Sequence, residues 1–248
     1  MTERPDLPAG SFSSWLRDMR TTLLDDGGAD VPCDGCTACC TSSYFIHVGP
    51  DETRTIARIP AELLFRAPDL PTGNVLMGYD EEGRCPMLRG EACSIYEQRP
   101  LTCRNYDCRV YAAAGIDADR PLITERARRW AFDYPNEEDS AQHAAVQAAA
   151  RFLREHAECF PGGAVPSDPA QVALLAVRVY EVFLSHDGGA RSGETGRASR
   201  ARAAGDARDA EIARAVVKAN GEFEARRDAA GRGPAGTPGA GDSEPVRR

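Results

Sequence analysis

The chain has 248 residues and 42% hydrophobic content, enough to bury a sizeable core of its own, so any bound metal need not replace a core as it does in a zinc finger. Its formal net charge of -8 is uneven: residues 1–186 carry 28 acidic and 18 basic side chains, and residues 187–248 carry 10 and 12. An acidic body speaks against nucleic acid as a partner, and no apolar run approaches the roughly 20 residues needed to span a bilayer.

Residues 1–10 hold prolines and charged side chains where a secretory leader has its apolar segment, so a cytoplasmic protein with no membrane association is expected. The spacing of Phe12, Trp15, Leu16, Met19 and Leu23 predicts an amphipathic helix over 12–24, with Ser11 as N-cap and Gly27-Gly28 as the stop. A first cysteine run follows, Cys33, Cys36, Cys39 and Cys40, written C-x-x-C-x-x-C-C. Residues 44–48 are aromatic and β-branched enough for a short strand, and Asp51 can cap a helix to about Ile59, before Pro60.

Residues 74–79 and 84–88 flank the turn Asp80-Glu81-Glu82-Gly83, which predicts a β-hairpin with Cys85 on its second strand. Arg89-Gly90-Glu91 makes a further turn before Cys93, and Cys103 and Cys108 follow Pro100, a break or a helix start. Beyond about Ala112 the pattern is helical. Ala145, Ala149, Phe152, Leu153 and His156 form one stripe, and 168–184 is apolar on nearly every face, with Pro169 suited to the first helical position. The expected fold is an irregular, mostly helical α+β single domain over 11–186, with a small β-hairpin and metal-organised cysteine loops. Its motif core spans 33–110 and its helical remainder 111–186. A largely disordered Gly/Ala/Arg-rich tail over 187–248 is expected to hold one possible helix, 206–227, with a weak stripe at Ile212, Val216, Ala219 and Phe223.

Eight of the nine cysteines thus lie in two clusters, and in a reducing cytosol clustered thiols read as metal ligands or redox groups rather than disulfides. Thiolates are soft donors that select zinc or iron–sulfur clusters, four to a site. Eight candidates suit up to two sites, and the adjacent pair Cys39-Cys40 leaves their grouping open. The first run lacks the spacer and following proline of a bacterial ferredoxin run. Tyr96, Arg99, Arg104 and Tyr106 can donate hydrogen bonds or positive charge to thiolate sulfur. His47, in a short strand, reads as structural, as do His143, His156 and His186 on helices, and Cys159 as a semi-buried thiol. The literal G-x-G-x-x-G at 231–236 has no strand before it and a proline inside it, which argues against a dinucleotide site.

The first run, then Cys85-Pro86-Met87-Leu88, then Cys93-Ser94-Ile95-Tyr96-Glu97-Gln98-Arg99-Pro100, then Cys103-Arg104-Asn105-Tyr106, resembles the YkgJ-type cysteine-cluster family over about residues 33–110. Cys108 follows these motifs as a local addition. The resemblance implies a zinc- or iron-chelating domain, and that family includes flagellin lysine N-methylase, an iron–sulfur protein. The expected function is metal binding, with zinc or an iron–sulfur cluster as cofactor and no assigned partner. Alternatives are an iron–sulfur-dependent oxidoreductase or protein lysine methylase-like enzyme, and a thiol redox sensor.

Overall fold

The structure is a computed structural model that describes residues 6–25, 31, 33, 35–160, 165–184 and 198–230, with the side chains of the last helix described from residue 207. The Gly27-Gly28 stop, His186 and the glycine motif at 231–236 lie outside the described residues. In chain order the elements are β1 (Leu7–Ser11), α1 (Phe12–Asp25), β2 (Ile46–Val48), α2 (Thr53–Ile56), β3 (Leu64–Arg66), β4 (Val75–Met77), β5 (Leu88–Arg89), β6 (Ala92–Cys93) and α3 (Leu101–Asn105). There follow α4 (Arg109–Ala114), α5 (Pro121–Ala127), β7 (Trp130–Asp133), α6 (Glu137–Glu155), α7 (Pro169–Val179), α8 (Glu181–Leu184) and α9 (Ala198–Ala229). Helix accounts for 55% and the sheets are small, an irregular α+β fold. No described helix is long and apolar enough to cross a membrane.

The chain divides into two compact units. Among the described residues, one joins 6–25 to those from 108 to 230, and the other lies within 31–107.

In the helical unit, α1 begins where the sequence places its cap. The Ser14 amide donates to Ser11 Oγ at 3.3 Å, and Asp139 Oδ1 accepts from the Ser13 amide at 2.8 Å and from the hydroxyls of Ser11 and Ser13 at 2.9 and 2.8 Å. These bonds occupy amides that a helix start leaves unsatisfied. They also hold the carboxyl of Asp139 below its usual range, the Ser13 amide contributing most. Asp139 itself lies in the first turn of α6, whose N-cap Asn136 accepts from the Asp139 amide at 3.2 Å. The apolar stripe of α1 buries Phe12, Trp15, Leu16 and Met19. Phe132 of β7 meets Phe12 and Trp15 at ring separations of 5.0 and 5.1 Å, within the range favoured by edge and tilted pairs. β7 pairs in parallel with β1, from Leu7 opposite Trp130 to Ser11 opposite Asp133, with a register shift between Pro8 and Gly10.

Helix α7 starts at Pro169, and Asp168 Oδ1 accepts from the Gln171 amide at 3.0 Å. Its length is apolar on most faces because α4, α6 and α9 all pack against it. α9 contributes Ile212, Ala213, Val216 and Phe223, all buried. His143 stacks on Phe12 at 4.3 Å, its Nδ1 2.6 Å from Tyr134 Oη and its Nε2 3.0 Å from Gln147 Nε2.

The cysteine unit is built on a three-stranded antiparallel sheet in the order β2-β4-β3, in which Met77 lies opposite both Ile46 and Leu64. One face covers a small core of Val48, Ile59, Met77, Met87 and Ile95, with Cys85 and Cys93 packed against it. The hairpin differs from the one expected. The Asp80 turn forms, with the Gly83 amide donating to Asp80 O and the Asp80 amide to Arg84 O, both at 2.9 Å. The strand before it, β4, pairs instead with β2 and β3. The hairpin proper is β5–β6, one turn later, with Leu88 opposite Cys93. Cys85 is not on a strand because its amide is spent elsewhere, and the helix expected over 51–59 is reduced to Thr53–Ile56.

Candidate metal centre

Each cysteine of the unit is set by a short backbone device. The Cys36 amide donates to Cys33 O at 2.7 Å and closes a tight turn, with Gly35 at φ 63°. Cys39 and Cys40 stand on a single 3-10 turn, Cys39–Thr41. That turn is fastened by Ser42 Oγ, which donates to Ala38 O at 2.6 Å, and by Thr41 Oγ1, which donates to Thr37 O at 2.9 Å. The Cys85 amide donates to Cys40 O at 2.7 Å, and the Ser43 amide to Gly83 O at 3.0 Å, so the second cluster is stitched to the first by its main chain. Gly83 has φ 77°, and a Cβ there would collide with Ser43 Oγ, so glycine is what allows this close approach.

Cys93 is carried on β6, and the Ser94 amide and hydroxyl both donate to Met87 O, at 2.9 and 2.8 Å. Cys103 sits in the first turn of α3, where its amide and that of Arg104 donate to Pro100 O at 2.9 and 3.1 Å. Pro100 is the N-cap and starts the helix rather than breaking it.

Two residues that sequence reasoning passed over fix α3. Glu52 Oε2 accepts from the Leu101 amide at 2.6 Å while its Oε1 accepts from the Gly49 amide at 2.8 Å. Thr102 Oγ1 donates to His47 O at 2.8 Å. The available signal was the glutamate three residues after Gly49, a spacing at which a carboxylate reaches back to a main-chain amide; its second bond, to Leu101, has no local signal at all.

The sulfurs act on one another. Burial pushes the Cys40 thiol up to about 12, with further upward contributions from Cys85, Cys93, Cys33 and Cys36. Cys103 is also pushed up, by burial first and then by Cys85, Cys40 and Cys93, while the Arg99 guanidinium pulls the other way. Cys85 is raised by burial, against amides of Met87 and Leu88 that favour its thiolate, and raised again by Cys93 and Asp80. Cys40, Cys85, Cys93 and Cys103 are therefore one electrostatic group, with Cys33 and Cys36 reaching it through Cys40. Cys39 stands beside Cys40 on the turn.

Among the supporting candidates, Arg99 lies 3.9 Å over the Tyr96 ring and its Nη1 donates to Tyr96 O at 3.2 Å. Tyr106, just past α3, has its ring 6.2 Å from that of Tyr44. Arg104 Nε is buried without a hydrogen-bond acceptor among the described residues. His47 Nε2 is 2.8 Å from Asn74 Oδ1, a bond across the β2–β4 pair. Cys108 falls in the helical unit, at the N-cap of α4, where its buried sulfur accepts from Trp130 Nε1 at 3.2 Å.

Such a donor set is chemically narrow. Half-buried sulfur donors that act on one another electrostatically suit zinc or iron, not magnesium or calcium, which take oxygen. No curated protein and no solved structure matches the chain. Over residues 32–134 the chain matches the CxxCxxCC family model, described as a "putative zinc- or iron-chelating domain".

Proposed function

We propose that the cysteine unit is a metal centre in which the thiolates of Cys33, Cys36, Cys39, Cys40, Cys85, Cys93 and Cys103 chelate zinc or an iron–sulfur cluster, and that the bound metal holds the unit in its fold. The observation that carries this reading is the electrostatic group of Cys40, Cys85, Cys93 and Cys103, of which Cys85 and Cys93 pack against the small core. A unit of about 80 residues whose main apolar cluster is five side chains is short of hydrophobic stabilisation, and small domains of that kind draw on metals or disulfides. All of these cysteines are thiols. Half-buried sulfurs that raise one another's proton affinity are unfavourable as a set of bare thiolates; a divalent cation or an iron cluster replaces the protons and turns the repulsion into coordination.

Arg99, Arg104, Tyr96 and Tyr106 take the supporting role, Arg99 through its charge at Cys103 and Arg104 through a buried Nε that has no acceptor among the described residues. A cytoplasmic location follows from the same chemistry, since thiols of this density persist in a reducing compartment. The thiol-sensor alternative fits less well: sensors use depressed thiol pKa values, whereas Cys40 is raised to about 12.

The test is metal and acid-labile sulfide analysis of full-length protein purified without oxygen. At least one equivalent of zinc, or of iron with matching sulfide, is expected. Protein lacking both would overturn the reading, and sulfide content decides between zinc and the iron–sulfur form that an oxidoreductase or methylase-like activity requires.

A further inference from the structure

We propose a second cation site in the helical unit, at the C-terminal end of α6, formed by His156, Glu158 and Cys159. A ring nitrogen, a carboxylate oxygen and the thiol sulfur of these residues all lie within 4.8 Å of one another. The site is distinct in sequence and in unit from the thiolate centre, and does not depend on it.

The local backbone explains the convergence. α6 ends at Glu155, and His156, at φ −126° and ψ 35°, leaves the helix and opens the 3-10 turn Ala157–Cys159. The Cys159 amide donates to His156 O at 3.0 Å. In a 3-10 turn, side chains three residues apart eclipse one another, so the imidazole and the thiol are delivered to the same side. The ring is not free to swing: it stacks on Phe152 at 4.7 Å with an interplanar angle of 21°. Phe160, just past the turn, packs on the same Phe152 at 6.0 Å.

A fourth group stands beside the ring. Asp209 of α9 places Oδ2 3.5 Å from His156 Nδ1. A carboxylate beside a ligating imidazole fixes its orientation and raises its basicity, the commonest support of a metal-bound histidine. Nitrogen, sulfur and a single carboxylate make a borderline donor set that suits zinc or cobalt rather than magnesium or calcium. His156 and Cys159 are half-buried and Glu158 is exposed, so three protein donors face solvent on one side and leave a coordination position for water or a small ligand. Occupancy would tie the end of α6 to α9 through the His156–Asp209 pair.

The experiment adds Co²⁺ to full-length protein purified with its native metal. One further equivalent should bind, with a thiolate-to-cobalt charge-transfer band in the near ultraviolet. Cys159→Ser should abolish that band, and Asp209→Asn should weaken binding by about 10–100-fold. Absence of the band in the wild-type protein, or a band of full strength in Cys159→Ser, overturns the proposal. Circular dichroism monitors folding of each variant. Should Cys159→Ser fail to fold, exposed Glu158→Gln carries the test: weaker Co²⁺ binding supports the site, and unchanged affinity overturns it.

Discussion

The amide of Cys85 donates to the carbonyl of Cys40 over 2.7 Å. The bond joins the two cysteine clusters through main chain alone, without help from sulfur. Beside it the Ser43 amide reaches Gly83 O at 3.0 Å, and a left-handed Gly83 makes room for the approach. The loops are thus brought together by hydrogen bonds that a metal would reinforce but need not create. The sulfurs then inherit positions in which burial and mutual charge oppose ionisation. On the proposed reading, the loops are gathered by main chain, and a cation would relieve the electrostatic opposition among the thiolates.

That division of labour predicts a contrast between two cysteines. Cys40 is central to the electrostatic group, so Cys40→Ser should lower metal affinity by more than the roughly 10–100-fold that loss of a supporting partner costs. Cys108 is buried in the helical unit with Trp130 Nε1 on its sulfur. Cys108→Ser should therefore keep the metal stoichiometry and lower the melting temperature. Metal analysis and thermal unfolding of the two variants side by side check this; metal loss in Cys108→Ser at the level of Cys40→Ser would place the eighth thiolate in the centre.

A pH dependence follows from the same groups. In metal-free protein the Cys40 thiol titrates at about 12, against 9.0 for an unperturbed cysteine. Between those values the folded state keeps a proton that the unfolded state has released, so folding stability is full below 9.0 and falls as pH rises toward 12. Burial raises Tyr134 and Tyr180 in the same direction, so the contribution of Cys40 is the difference between wild type and Cys40→Ser. Thermal melts of reduced, metal-free protein across this alkaline range should show a steeper decline in wild type. The metal-loaded form should reverse the sense, losing stability on acidification as protons displace the cation. Equal slopes in wild type and Cys40→Ser would show that the thiol is not held protonated by burial and its neighbours.

How much of this was legible in the sequence depends on how local the cause was. α1 was readable because its apolar stripe, its Ser11 cap and its length all point the same way, and α7 because Asp168-Pro169 is an N-terminal signature in two residues. The cysteine motifs were readable because ligand spacing within a loop is local chemistry. The parallel β1–β7 pair was not: Leu-Pro-Ala-Gly-Ser carries no β-branched residue, and its partner lies beyond the whole cysteine unit in the chain. The hairpin around Asp80 was misplaced for a related reason. The turn is real, but β4 found two partners, β2 and β3, and both pairings bury Met77, which a local hairpin with residues 84–88 would not achieve on both sides. The closing of one helical unit by segments on either side of the cysteine unit left no trace in periodicity.

Glu52 gives the most specific test of how the chain positions Cys103. Its two carboxylate oxygens accept from the Gly49 amide, at the end of β2, and from the Leu101 amide, at the first residue of α3. α3 is only five residues long, too short to hold itself together in water, so its orientation depends on this anchor and on the Thr102 bond to His47 O. Cys103 is the third residue of α3, and displacing the helix start displaces its sulfur. Glu52→Gln keeps one acceptor oxygen and the side-chain length, whereas Glu52→Ala removes both bonds. Hydrogen bonds to a charged group are worth about 1.5–3 kcal/mol, so Glu52→Ala should cost about 2 kcal/mol of unfolding free energy, and Glu52→Gln less. Metal affinity should fall in the same order, with the metal still bound at saturation because no thiolate has been lost. Denaturant unfolding and metal titration of both variants measure the two effects. If Glu52→Ala destabilises the protein while metal affinity stays at the wild-type value, α3 is positioned by the thiolate–metal bonds themselves and not by the carboxylate.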